Sequence, residues 1–159
     1  MLATRVISLC TLALLAQFCV AAGVHAGVIV PSQSTATGTY LLQLTSTTTS
    51  HAVAAGTGVS TLGSFQVSGS QASDFTDPLH QIVSNGLFTQ DHGGATLVGT
   101  FSGTATATGA TSAEATLIIP FIGGTGALSN VIGGSGTATV TVEFVSANPD
   151  QSQNFTYAL

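Results

Sequence analysis

Thr137-Ala138-Thr139-Val140-Thr141-Val142-Glu143-Phe144 carries small or apolar side chains at every even position and polar ones at every odd position. A period of two belongs to a β-strand, because successive side chains leave the pleated backbone on opposite faces. The same beat runs through Leu97 to Ala107, where Leu97, Gly99, Phe101, Gly103, Ala105 and Ala107 oppose Ser102, Thr104 and Thr106. It returns in Tyr40, Leu42 and Leu44, which alternate with Thr39, Gln43 and Thr45, in Phe65 and Val67, and in Phe155, Tyr157 and Leu159. One packed face and one wet face per strand is the signature of an antiparallel sheet.

Turn signals punctuate these runs at Gly56-Thr57-Gly58, Ser84-Asn85-Gly86, His92-Gly93-Gly94, Gly123-Gly124-Thr125-Gly126, Gly133-Gly134-Ser135-Gly136 and Asn148-Pro149-Asp150. No amphipathic helix of useful length appears. Ala127 to Ile132 and Asp77-Pro78 to Val83 are the only candidates for a short turn of helix. Seven or eight strands at this spacing predict an all-β antiparallel barrel, with a β-sandwich as the alternative. The run Leu97 to Thr108 is long for one strand, which predicts a bend at Gly99 or Gly103. Ala113 to Ile122 ends apolar on both faces, at Leu117, Ile118, Ile119, Phe121 and Ile122, so this strand is expected to be covered on both sides or to meet a partner.

The N-terminus has a different grammar. Arg5 is followed by an apolar run from Val6 to Ala22, and Val24-His25-Ala26 offers small residues at the −3 and −1 positions before Gly27. This is the layout of a secretory signal peptide; an uncleaved anchor is the alternative, although the run is short of the roughly 20 apolar residues a spanning helix needs. Residues 1–26 therefore read as a signal peptide and residues 27–159 as a single β-barrel domain, secreted or held in the periplasm or at the cell surface. Cleavage removes Cys10, Cys19 and Arg5, leaving no disulfide, no Lys and no Arg.

Charged residues are only 4% of the chain, against about a quarter in ordinary domains. From Gly27 onward the charges are Asp74, Asp77, Asp91, Glu114, Glu143 and Asp150. Nucleic-acid binding draws its affinity from cations on phosphates, so nucleic acid and anionic polymers are excluded as partners. His51, His80 and His92 are neutral at pH 7 when unperturbed. The expected ligand is small and neutral, apolar or sugar-like.

The run Thr116-Leu-Ile-Ile-Pro-Phe-Ile-Gly-Gly-Thr-Gly-Ala-Leu-Ser-Asn-Val-Ile-Gly-Gly-Ser-Gly-Thr-Ala resembles a signature of secreted bacterial barrel proteins: a strand, a Gly-Gly-Thr-Gly turn, a short apolar turn of helix, and Gly-x-Gly-Thr opening the next strand. Gly99-Thr-Phe-Ser-Gly-Thr-Ala and Thr61-Leu-Gly-Ser-Phe resemble earlier segments of the same group, and the likeness covers most of Thr57 to Phe144. That group is similar to the allene oxide cyclase and dirigent barrels. The resemblance implies a barrel; most of the group has no assigned activity. Dirigent-like chemistry is associated with acidic and arginine side chains in the barrel, and residues 27–159 hold no arginine. Thr89-Gln-Asp-His-Gly-Gly also departs from the Asn-Gly-Asp turn of the group, so no catalytic residue is carried over.

The remaining chemistry is thin. Gly123, Gly124, Gly126, Gly134 and Gly136 read as structural turn glycines; a phosphate-cradling loop needs a helix behind it and usually a Lys. Asp74, Asp77, His80, Asp91 and His92 have side chains that suit divalent ions, but their spacing matches no metal site and such residues are common in turns. Glu114 and Glu143 offer a carboxylate pair for acid–base work across a barrel mouth, or a means of keeping a neutral surface soluble. No nucleophile elbow is present, and no cofactor is implied. The sequence thus predicts a non-catalytic exported barrel with a structural or small-ligand-binding role. The alternatives are an allene oxide cyclase or dirigent-like enzyme acting on a small apolar substrate in the barrel, and a small outer-membrane barrel.

Overall fold

The computed structural model describes residues 16–20, 30–77 and 79–159. Nine strands follow one another: β1 (Ala16–Val20), β2 (Val30–Leu44), β3 (Thr49–Ser60), β4 (Gly63–Asp74), β5 (His80–Asp91), β6 (Thr96–Ala107), β7 (Ser112–Gly124), β8 (Gly134–Ala147) and β9 (Gln153–Ala158). From β2 onward each strand pairs antiparallel with the next, and β9 closes on β2. The result is an up-and-down, closed eight-stranded barrel. Closure satisfies the backbone groups that an open sheet would leave bare at its edges.

The stagger of closure sets the width. The ladder leaving Tyr40 through Ala54, Gly69, Phe88, Gly99 and Phe121 meets β8 at Gly134. The ladder leaving Tyr40 through Phe155 meets β8 at Phe144, ten residues further on. Eight tilted strands with such an offset enclose an interior that side chains can fill or that can hold one small ligand. Because β9 is short, it covers β2 only from Thr37 to Leu42. Beyond it, β1 lies in the same slot, pairing with Val30–Ser34 of β2 and with Ser135 and Gly136 of β8. The expected cleavage site at residues 24–27 lies outside the described residues.

Alternation sorts the side chains as the period of two demands. On β7, Ala115, Leu117, Ile119 and Phe121 are buried, while Glu114, Thr116, Ile118, Pro120 and Ile122 face outward. The expectation that this strand is covered on both sides is corrected here: Ile118 and Ile122 are each 57% exposed. Threonine dominates the outer wall of the neighbouring strands, with Thr104 opposite Thr116 and Thr116 opposite Thr139. β-Branched residues suit such a pleated, half-solvated surface.

The long β6 slips register against β7 between Val98 and Gly99, so the irregularity falls at one of the two glycines where a bend was expected. A side chain at Gly99 would strike the Phe88 ring and the Pro120 carbonyl. Helix is scarcer than the sequence suggested. Between β7 and β8 only Gly126–Leu128 forms a 3-10 turn, and β5 starts at His80, leaving no helical turn that reaches Val83.

The largest buried cluster belongs to one half of the barrel. Val83 and Phe88 on β5, Leu97 and Ala105 on β6, Ala115, Leu117, Ile119 and Phe121 on β7, and Ala138 on β8 form it, with Leu128 and Val131 of the β7–β8 connection packed against it. Phe88 stands edge-on to Phe121, centroids 5.7 Å apart, a geometry that matches ring edge to ring face.

Candidate functional site

The barrel is not filled. A lumen of about 470 Å³ runs inside it, within the range of small-molecule pockets. Its apolar wall comes from Val83, Phe88, Ala105, Leu117, Ile119 and Val140. Small alanines on β6 and β7 leave the space that larger residues would occupy.

The two ends differ. Phe65, Leu97 and Phe121 are buried where the β3–β4, β5–β6 and β7–β8 connections gather. His92 covers Phe65 there, ring centroids 5.3 Å apart. Both His92 ring nitrogens are buried without a hydrogen-bond partner. Burial lowers the His92 pKa, and the nearby Asp91 carboxylate offsets part of that shift. At the opposite end Leu44 is 42% exposed and Phe144 37% exposed, although both stand at inward register positions. That end is the mouth.

Polar groups ring the lumen near the mouth, those of Tyr40, Gln71 and Ser73 across from the apolar β6–β8 wall. Tyr40 on β2, Gln71 and Ser73 on β4, Gln81 on β5 and Gln153 on β9 all line the lumen. The Gln71 Nε2 group donates to Tyr40 Oη and to Ser73 Oγ, at 3.2 Å each. The Tyr40 ring is held edge-on by Phe155, centroids 5.4 Å apart, and Phe155 in turn by Phe144 at 5.6 Å. Burial raises the Tyr40 pKa, and hydrogen bonding to Ser73 and Gln71 offsets part of the rise. Burial raises Tyr157 likewise. Both phenols stay protonated at neutral pH. Among the described residues, none that lines the lumen is Asp, Glu, His, Lys or Arg.

The residues singled out in the sequence fall elsewhere. Asp74, Asp77 and His80 flank the β4–β5 connection at the mouth end, with His80 Nδ1 3.2 Å from Asp77 Oδ2. Asp91 and His92 lie at the far end of the twelve-residue β5, roughly 35 Å away at about 3.3 Å per residue. The cluster of five is thus a neighbourhood in sequence only, and among the described residues no group of three such side chains converges. Hydrogen bonds from their own turns depress the carboxyl pKa values of Asp74 (from Thr76) and Asp77 (from Leu79 and His80). Glu114 and Glu143 are exposed on the outer wall, opposite Thr141 and Ser112; neither reaches the lumen.

The turn glycines flank the β7–β8 connection, and of the five only Gly126 lies within it. Gly123 and Gly124 end β7, Gly126 opens the 3-10 turn at φ +58°, Gly134 opens β8, and Gly136 sits opposite Ile119. No family model, curated protein or solved structure matches the chain.

Sequence reasoning placed Tyr40 inside but missed the glutamines. The signal was present: Gln71 and Ser73 continue the parity of Phe65 and Val67, and Gln153 shares the parity of Phe155, Tyr157 and Leu159. A polar residue at an inward position of an otherwise apolar series marks a lumen group.

Proposed function

We propose that the protein is a non-catalytic, exported β-barrel that holds a small neutral molecule in its lumen. The observation that carries this reading is the 470 Å³ interior, which no charged side chain lines among the described residues. An apolar wall with a few converging polar groups is the common form of a small-molecule site. Acid–base turnover of the dirigent kind would call for acidic or arginine side chains in the barrel, so the neutral lining supports binding over catalysis. Export rests on the leader-like residues 1–26, and amino-terminal sequencing of exported protein should begin at Gly27.

The test of binding uses Nile red, a neutral apolar dye whose emission rises on leaving water. The chain should bind one dye molecule, and Ala115→Leu, which fills the lumen, should weaken it at least tenfold while circular dichroism shows the same β fold. Absence of binding, or binding indifferent to the filled lumen, overturns the reading.

A further inference from the structure

We propose that the lumen selects aliphatic amphiphiles with a neutral head that both donates and accepts hydrogen bonds, such as an alcohol, and that the Tyr40–Gln71–Ser73 cluster receives that head. The inference rests on the lumen being a ligand site and adds which end of the ligand goes where.

The connected hydroxyl-and-amide cluster of the lumen lies towards its mouth, while Gln90 and Tyr157 are the polar lining groups of the other half. Leu117, Ile119 and Val140 on β7 and β8 offer hydrocarbon alone, whereas the facing cluster near the mouth carries hydroxyl and amide groups. A hydrocarbon body lies favourably against the first wall because the area it covers leaves water. Its polar end then has to meet hydrogen-bonding groups, since an unpaired polar group in such a site costs free energy.

The cluster is partly spent and partly free. Gln71 uses its Nε2 group on two hydroxyl oxygens, those of Tyr40 and Ser73. Its Oε1 atom remains to accept; Tyr40 and Ser73 also bond to each other, which uses one of their two hydroxyl hydrogens and leaves the other to donate. A head that donates and accepts, as an alcohol does, matches this inventory. Holding the Tyr40 ring edge-on to Phe155 orients the phenol before any guest arrives, which lowers the cost of ordering it on binding.

Charged heads fit badly. A carboxylate entering the lumen finds no cation, and residues 27–159 contain no Lys or Arg to reach in from outside. An ammonium head finds no carboxylate in the lining. The Asp74 and Asp77 carboxylates near the mouth already accept from Thr76 and Leu79 in their own turns and are exposed to solvent. A buried, unpaired charge of either sign is far more expensive than a neutral head.

Calorimetric titration of the full chain at pH 7 with decan-1-ol, decanoate and decylammonium tests this, with Nile red as the control for the lumen itself. Decan-1-ol should bind at least tenfold more tightly than either ion. Gln71→Leu should weaken decan-1-ol roughly tenfold, the scale of one or two net hydrogen bonds, and leave Nile red unchanged. Tyr40→Phe, which keeps the ring and removes only the hydroxyl, should weaken decan-1-ol severalfold and serves if Gln71→Leu does not fold. If neither dye nor amphiphile binds, the lumen reading itself falls. If Nile red binds while the three heads bind alike, or an ion binds best, or both variants keep full affinity for decan-1-ol, the head assignment is overturned and the lumen reading stands.

Discussion

The two halves of this barrel are built from the same backbone pattern and unlike side chains. Strands β5 to β8 turn Val83, Phe88, Leu97, Leu117, Ile119 and Phe121 inward and pack them into one cluster. Strands β2 and β3 turn Ser32, Ser34, Ala36, Ala52 and Ala54 inward over much of their length, with Tyr40, Leu42 and Leu44 inward only towards the mouth. The first half holds most of the buried cluster; the small side chains of the second, together with Ala105 and Ala115 of the first, make room. A barrel filled evenly would have no lumen, and one hollow all round would lack a core.

The comparison breaks most severely at the rings. Phe88→Ala removes a ring that meets Phe121 and Phe101 and should cost about 3–5 kcal/mol in urea unfolding. Loss of under about 1 kcal/mol would show that the packed half is not what holds the barrel. Next in size is Gly99→Val. Its side chain would push into Phe88 and into the Pro120 carbonyl, 2.7 Å from the new Cβ, and overpacking of this kind costs about 1–3 kcal/mol. A neutral result would mean that the inner wall of β6 has slack.

In the roomy half the sign should reverse. The Ser50 hydroxyl is buried without a partner in a residue 2% exposed. Ser50→Ala relieves a desolvated polar group without breaking a bond, so stability should stay level or rise by up to roughly 1 kcal/mol. A clear loss would reveal a hydrogen bond made by that hydroxyl in solution.

The smallest effect is in pH. The folded-state pKa of His92 lies below its unfolded value of about 6.5. The unfolded chain therefore takes up the proton first, and stability declines as pH falls below about 6.5, levelling off once the folded form is protonated too. Asp74, Asp77 and Asp150 have depressed folded-state values; what they contribute is present above about pH 4 and is lost as pH falls through their folded pKa values. His92→Leu should abolish the upper step in a pH series of thermal melts and leave the lower one. An upper step that persists in the variant would assign it to another group.

Much of this architecture was legible in the chain. The parity of Thr137–Phe144 and Leu97–Ala107 gave the inward faces of β8 and β6, because a period of two has only one structural reading when one face is buried. A long strand with glycines at 99 and 103 predicts a bend at one of them, and the register slip falls at Gly99. The outward Ile118 and Ile122 do not report cover on both sides, since an exposed isoleucine on a strand costs little and apolar surface is ordinary on folded proteins. The lumen was not legible: whether Ala105 and Ala115 pack tightly or leave space depends on the stagger at closure, which no single strand records. The metal-like cluster failed for a related reason, because a twelve-residue strand carries sequence neighbours to opposite ends of the barrel.

Tyr40 and Tyr157 are the only tyrosines in the chain, and it has no tryptophan. Both line the lumen. The near-ultraviolet absorption and emission of this protein are therefore dominated by its own interior. A guest that displaces water from the phenols changes the optical signal directly, with no label and no surface chromophore to dilute it. The barrel carries its own spectroscopic gauge of occupancy.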